Sequence, residues 1–480
     1  MVANIRFGFY GSSGRGRNVL RTATRAKSQS DMKIQDSLSS AETPERLRVL
    51  LSAFAISPFV GSEGGVGWET ATRLAQYHDV TVLCGDLAAG RPTQAALTAY
   101  FDTHPGIPGL TIHYVESPPL ARICETLHSR AGLWALYWVG YHLWQRRAIF
   151  EARRLHARDR FDVAHQLTFA SYREPGYLWR LPVPFFWGSV GGATGVPLSF
   201  APILGLSGTW RVALRNLGNF LQRRISFRAR HAARVAQVVW AGGEDERWLI
   251  ERWGGHAEYL PQSGTELTTE GPRTRSDTEP LRLLWSGRHD YNKALPLLLM
   301  ALARLRECTS VTLDILGAGP DTSKCMEIAA CLKLGPLINW HGHVPRTDAL
   351  ETMARAHVLV HTSLHEGTPG VVLEALSLGL PVICHGVSGM AVAVTDQCGI
   401  KVPLRDPDTS ILGFASAIER LAVDRPLYAR MSIGALARAR ELDWDSKIDR
   451  ISGAYRTAVG GATTVSREEG EPARERQHGF

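Results

Sequence analysis

From Leu281 to Gly386 the chain alternates between short apolar runs and helical patterns. "LRLLWSG", "VTLDILGAGP", "INWHGHV", "HVLVHTS" and "PVICHG" have the length and composition of strands, and a helical pattern lies between each pair. Strands that alternate with helices pair in parallel, because only a crossover returns the chain to the same end of the sheet. This stretch is therefore expected to be a doubly wound α/β unit. The same alternation opens earlier. "LRVLLSAFA" (Leu47–Ala55) runs into a Ser-Pro-Phe and Gly-rich loop, "VGWETATRLAQY" follows as a helix and "DVTVLCG" as a strand. "LTIHYVE", "FDVAHQL", "VPFFWGS" and "QVVWAG" are further strand candidates, with a helical pattern over Trp138–Ala157.

Between the two units lies "EYLPQSGTELTTEGPRTRSDTEP", rich in Pro, Gly, Thr and Ser, the best domain boundary in the chain. The expected organisation is a disordered or weakly ordered extension over 1–45, a first Rossmann-like domain over 46–265, a linker over 266–280 and a second Rossmann-like domain over 281–440. A helical segment over 441–462 that packs back on the first domain and a disordered tail over 463–480 complete it. Two such domains face one another across a cleft, and ligands of doubly wound sheets sit at the carboxyl ends of strands.

The seven cysteines are scattered with no CxxC pair, which suits reduced thiols and a cytoplasmic location. "GSSGRG" near the start matches a phosphate loop only loosely. Ala131–Trp144 is uncharged but too short to span a bilayer, and Leu181–Trp210 is interrupted by four prolines. The net charge is +8, and Pro175–Gly243 contains no Asp or Glu but eight arginines. Within it, Arg211–Arg234 interleaves arginines with Val212, Leu214, Leu217, Phe220, Leu221, Ile225 and Phe227, as an amphipathic helix does. Three readings stand together: an anionic membrane surface at the inner face, an acidic soluble acceptor, and a solvated helix. Nucleic acid is not expected, since no base-stacking or zinc module accompanies the charge.

"HTSLHEGTPGVVLEALSLGLPVICHG" (His361–Gly386) places Glu366 and Glu374 around a Gly-Thr-Pro-Gly turn that follows an apolar strand. Thr368 is expected as N-cap and Pro369 in the first helical turn, leaving the N–H groups of Gly370, Val371 and their neighbours to face the cleft as an anion site. A carboxylate against a diphosphate would repel it, so the two acids are assigned to hydroxyls on either side of one. A nucleoside diphosphate sugar has that layout. Eight helical residues span about 12 Å, too far for the pair of a retaining glycosidase. Arg288 and Lys293, in the loop after "LLWS", would answer the diphosphate without a metal.

These residues resemble the retaining glycosyltransferases of family 4, with the GT-B architecture. The resemblance rests on Glu366-x7-Glu374, the Arg288/Lys293 pair, "WHGHVPR" (Trp340–Arg346) and "GLPV", and covers roughly 281–400. "GSEGGVGWE", "FDVAHQ" and "WGSVGG" match more loosely in the first domain, which the resemblance makes the acceptor side. It implies that Glu366 holds hydroxyls of the donor hexose, Glu374 the ribose, and Arg288 and Lys293 the diphosphate. Gly367, Thr368, Pro369, Gly370 and Val371 would form the helix start, main-chain groups near Val344 would meet the base, and Gly64 or Gly65 would admit the phosphate or sugar. His165 is a candidate contact at the reacting sugar, although the family histidine also occurs two positions later, where this chain has Leu167. "EGTPG" replaces the usual "EGFG", and Lys293-Ala294 the usual Lys-Gly. Asp406/Asp408 and Asp443/Asp445 follow no clear core strand and are not taken as metal ligands.

The expected activity is hexosyl transfer with retention, from a UDP- or GDP-sugar to a hydroxyl of a lipid-linked or saccharide acceptor in surface polysaccharide or glycolipid assembly. No cofactor or essential metal is expected. The alternatives are a sugar-nucleotide epimerase and a catalytically silent nucleotide-sugar-binding subunit.

Overall fold

A computed structural model describes residues 45–468, apart from 60, 61, 89, 132, 133, 270, 277, 278, 307, 308 and 368. Met1–Glu45 make up one unit and Arg46–Phe480 a second. The N-terminal extension with "GSSGRG", and the tail from 469, lie outside the described residues.

The second unit holds two parallel sheets. β1 (Arg48–Ala53), β2 (Asp79–Cys84), β3 (Leu110–Tyr114), β4 (Val163–Thr168), β5 (Phe185–Val190), β6 (Val238–Ala241) and β7 (Ala257–Tyr259) form the first, in the order 3-2-1-4-5-6-7. β8 (Leu281–Ser286), β9 (Val311–Leu316), β10 (Ile338–Gly342), β11 (Val358–His361), β12 (Val382–His385) and β13 (Gly399–Val402) form the second, in the order 10-9-8-11-12-13. Leu281, Leu283 and Leu284 of β8 are all fully buried, as are Val358, Leu359 and Val360 of β11. Consecutive buried residues mean that both faces of the sheet are covered, which is why these strands are continuous apolar runs. In each sheet the strand order reverses once, between β1 and β4 and between β8 and β11. The loops that leave these four strands open into the crevice where such folds bind ligands.

Each lobe lends a helix to the other. The chain crosses between them twice, and the crossings lie side by side: Thr265 N donates to Leu442 O and Trp444 N to Thr265 O, both at 3.2 Å. Gly264 is required there, since a Cβ would come 2.7 Å from the Trp444 ring. The helix Trp444–Glu468 then lies on the first sheet, where Ile448, Ile451 and Tyr455 share a core with Val49, Leu51 and Phe186. It runs past 463, where the sequence reading begins a disordered tail, as far as Glu468. Burying those three side chains contributes about 1.5–3 kcal/mol each. In the other direction, Phe200, Leu204 and Val212 enter the core of the second lobe beside Leu295 and Leu298. Leu204 and Val212 belong to the helix Ala201–Ile225, which bends at Gly205 (φ 69°). No described helix is long and apolar enough to cross a membrane.

This packing corrects the expected amphipathic face. Val212 is in the core and Arg215 is mostly buried, and Arg228 is ion-paired with Glu174. The exposed apolar stripe is instead Leu206, Trp210, Leu214, Leu217, Leu221 and Ile225, with Phe220 and Phe227 beside it. Steps of three and four residues place the stripe along one side of the helix. The helix ends at Ile225, and a second one covers Phe227–Val235.

Candidate active site

β8 and β11 are neighbours, and hydrogen bonds tie together the loops that leave them. Thr362 Oγ1 donates to Lys293 O at 2.6 Å, and Trp285 Nε1 donates to Thr362 Oγ1 at 2.9 Å. Asn292 Nδ2 donates to His365 O at 3.1 Å, and Leu364 N to Asn292 O at 2.9 Å. This lacing brings Lys293 Nζ onto Glu366 Oε1 as an ion pair. The other carboxylate oxygen lies 2.6 Å from Nε2 of buried His361, on the last residue of β11. Burial by itself would raise the Glu366 pKa; His361 and Lys293 outweigh it and hold the carboxyl down at about 2. Glu366 is thus a fixed carboxylate with both oxygens oriented and two lone-pair positions left for hydroxyl donors.

Ala294 takes a left-handed conformation (φ 47°) at the start of the helix Leu295–Leu302, where the resemblance leads one to expect glycine. The glycines of "GAGP" serve packing. Gly317 has φ 114°, and a Cβ on it would strike Gly287 O, so this turn supports the Lys293 loop from below.

The other expected residues fall in several places. Arg288 is exposed on the same loop as Lys293, with no side-chain hydrogen bond to any described residue. Glu374 lies in the helix Gly370–Ser377, half-buried, and accepts from Arg346 Nη2 at 2.6 Å. Pro369 is the residue before that helix (ψ 112°) and not part of its first turn, and its carbonyl accepts from Val372 N at 3.0 Å. Thr368 lies outside the described residues. The N–H groups of Gly370 and Val371 have no acceptor among the described residues. Gly367 faces the first lobe: a Cβ on Gly191 would come 3.9 Å from its Cα, and one on Gly389 would strike its carbonyl. Val344 is half-buried against the second lobe's core. Gly64 and Gly65 lie in the first turn of the helix Ser62–Tyr77, with Gly64 O accepting from Ser57 N at 3.0 Å. The glycine that packing demands there is Gly67, whose Cβ would strike Ala55 O.

His165 is not a sugar contact. Its ring is fully buried under Trp240 and Tyr455, with Nδ1 2.6 Å from Tyr455 Oη and Nε2 3.0 Å from Gly188 O. Burial lowers its pKa to about 3. It points to the face of the first sheet that the Trp444–Glu468 helix covers, so it pins that helix in place. Leu167 is buried as well.

Several site residues escape the sequence reading. His361 had no assigned role, and neither had Arg346. Arg215 and Arg173 come from the acid-free region and its border. Burial, followed by the Arg173 charge, lowers the Arg215 pKa. Burial, followed by the Arg215 charge, holds His365 neutral with a pKa of about 3. Arg215 therefore reaches the loop that carries Glu366. Arg215 Nη1, Arg173 Nε, Asn292 Oδ1, Ser363 Oγ and His365 Nε2 are buried polar atoms with no hydrogen-bond partner among the described residues. Such atoms are expensive to leave unmade, and their gathering along one crevice marks a polar ligand site.

The sequence profile of the glycosyl transferases group 1 matches residues 280–424, the lobe that carries Glu366, Lys293 and Glu374. A D-inositol 3-phosphate glycosyltransferase of Streptomyces bingchenggensis is 31% identical over 393 residues, 74% of this chain and 77% of that protein. The chain belongs to the group 1 glycosyl transferases. A D-inositol 3-phosphate glycosyltransferase of Thermobifida fusca is 27% identical over 247 residues, 47% of this chain. This group 1 chain spans about half the length of that relative, 56%. Among solved structures, an Anabaena protein in complex with UDP has a TM-score of 0.53 at 16% identity, covering 86% of this chain and 100% of that one. The two parallel-sheet lobes of this group 1 member form the GT-B fold.

Proposed function

We propose that this protein transfers a hexose from a nucleoside diphosphate sugar to a hydroxyl acceptor, with retention at the anomeric carbon, as a family 4 enzyme. The observation that carries this reading is the Lys293–Glu366–His361 cluster beside the N–H groups of Gly370 and Val371, which have no acceptor among the described residues, at the reversal of the second sheet. Glu366 accepts hydrogen bonds from the hexose hydroxyls. Lys293 keeps two N–H donors beyond its Glu366 pair, and with Arg288 and the helix start it binds the diphosphate. Glu374 exchanges Arg346 for the ribose hydroxyls. Main-chain groups near Val344 meet the base. UDP in the Anabaena neighbour supports a uridine or related nucleotide.

In the reaction the bond from the anomeric carbon to the phosphate oxygen breaks. The acceptor oxygen bonds to the same face, and its proton passes to the leaving phosphate. Arg288, Lys293 and the helix start stabilise the charge that develops there; Arg215 and Arg173 add cations from the other lobe. Closure of the lobes excludes water and limits hydrolysis. No divalent metal is required. The acceptor is lipid-linked, within glycolipid or surface polysaccharide assembly, and the protein meets it at an anionic bilayer. The exposed stripe from Leu206 to Ile225, flanked by Arg211 and Arg224 in an acid-free region, complements an apolar interface under negative head groups.

The test is transfer from isotopically labelled UDP- and GDP-sugars after exhaustive chelation, with the product anomer read by NMR. Retained configuration without added metal is expected. An inverted product, or activity that only magnesium or manganese restores, overturns the corresponding half of the proposal. Conversion of the sugar nucleotide without any acceptor identifies an epimerase instead.

A further inference from the structure

The first lobe contains a second cationic hollow, separate from the donor crevice. It has a volume of about 850 Å3 and is walled by Arg223, Arg224, Arg230, Arg234 and Arg252, with Trp248 at its rim. None of its lining residues is acidic. Four of the arginines donate to backbone carbonyls and to no acid among the described residues: Arg223 to Ala193, Arg224 to Phe220 at 3.2 Å, Arg230 to Arg223 at 2.8 Å, and Arg234 to Trp253 at 2.7 Å. Arg224 lies 3.7 Å over the Phe220 ring and Arg252 5.3 Å over Trp248. The Nε atoms of Arg223 and Arg230 are buried with no hydrogen-bond partner among the described residues. The nearby acid Glu251 is engaged by Arg247.

Five guanidinium groups around one hollow repel each other, and each carries N–H donors in a planar fork that fits phosphate oxygens. Ring stacking and carbonyl bonds hold several of the forks in place, so little side-chain freedom is lost when an anion enters. The wall is shared with the crevice. Gly195 lines the hollow, while Gly191, four residues earlier, abuts Gly367. Four residues reach at most roughly 14 Å, so a molecule held here is within reach of the proposed sugar site. Phe220 joins the hollow to the exposed apolar stripe.

The geometry points to a phosphate-binding subsite, in which these five arginines hold a phosphate or diphosphate group carried by the acceptor. That the group belongs to the acceptor rests on the transferase reading; that the hollow binds phosphate does not. The experiment titrates the full chain with inorganic pyrophosphate by calorimetry, with and without saturating UDP. Arg224→Gln and Arg252→Gln are the variants of choice, because their side chains hold little of the fold; Arg224→Lys and Arg252→Lys are their conservative partners. Pyrophosphate should still bind when UDP is saturating. Each Gln variant should weaken it about tenfold or more, each Lys variant less, and UDP affinity should not change in any of them. Two further probes identify the source. Preference for phosphatidic acid vesicles over phosphatidylserine vesicles of equal charge places the phosphate on a lipid, whereas equal affinity for free glycerol 3-phosphate places it on a soluble ester. The subsite is overturned if UDP abolishes all pyrophosphate binding, if the Gln variants bind like the wild type, or if vesicles of both lipids bind alike while no soluble phosphate does. Failure of UDP itself to bind would count against the donor reading and leave the pyrophosphate comparison intact.

Discussion

Glu366→Gln keeps the shape of the central side chain and removes its charge. In the folded protein the carboxyl is lowered from 4.5 to about 2 by His361 and Lys293, against the opposing effect of burial. Its side chain is only 20% exposed, so solvent screening is weak. At 1.36 kcal/mol per unit, a shift of that size is worth roughly 3 kcal/mol. A depressed folded pKa stabilises above the unfolded pKa, and the contribution is lost as the pH falls through the folded value. It is therefore complete above about pH 5.5, and roughly 1 kcal/mol of it is gone by about pH 3.5. Urea unfolding of wild type and variant at both pH values, followed by tryptophan fluorescence, isolates this carboxyl. The gap in stability between the two proteins should be wider at neutral pH by roughly 1 kcal/mol. An equal gap at both pH values would show that Glu366 is not held as a charged partner of Lys293 and His361.

Glu374→Ala should weaken free UDP about ten- to a hundredfold, since a hydrogen bond to a charged acceptor is worth about 1.5–3 kcal/mol. Arg346→Ala should leave UDP within about threefold, because Arg346 is 75% exposed and its ion pair contributes little; equal losses in the two variants would take Glu374 off the ribose. His165→Leu strands Tyr455 Oη and Gly188 O in the core and should lower stability by about 2–4 kcal/mol with no change in UDP affinity. Because burial depresses the His165 pKa, its stabilising effect is present above pH 6.5 and falls away below it, and the variant should lack that dependence. Co-sedimentation with anionic vesicles should fall sharply in Trp210→Ser/Leu217→Ser, and a wild-type protein that ignores such vesicles at low salt does not use the stripe as a membrane surface.

The sheets were legible because strands such as β8, β11 and β12 are buried on both faces and flanked by helices, which leaves a clear record in composition. β7 and β13 were not read: "AEY" and "GIKV" are three- and four-residue edge strands, too short to carry a pattern. In the site, Glu366, Lys293 and Glu374 could be placed from spacing because they sit in loops and a helix tied to those strands. His361 looked like part of the strand, and only the fold shows that the strand ends there with its ring under Glu366. Arg215 and Arg173 were hidden in a different way. Both lie some 70 residues or more before Lys293 in the chain; Arg215 approaches His365 only because its helix crosses from one lobe to the other, and Arg173 acts on Arg215. His165 sits within β4 in a motif-like setting, and strand alternation aims it at the face covered by the Trp444–Glu468 helix.

The central claim is that the Lys293–Glu366 crevice binds a nucleoside diphosphate sugar. Calorimetric titration with a panel of UDP- and GDP-sugars, on wild type and Lys293→Ala, tests it most directly. At least one sugar nucleotide should bind the wild type and, at 100 times its dissociation constant, raise the stability by about 2.7 kcal/mol; Lys293→Ala should bind it at least tenfold more weakly. No binding by any member of the panel, or the same affinity in both proteins, would contradict the claim.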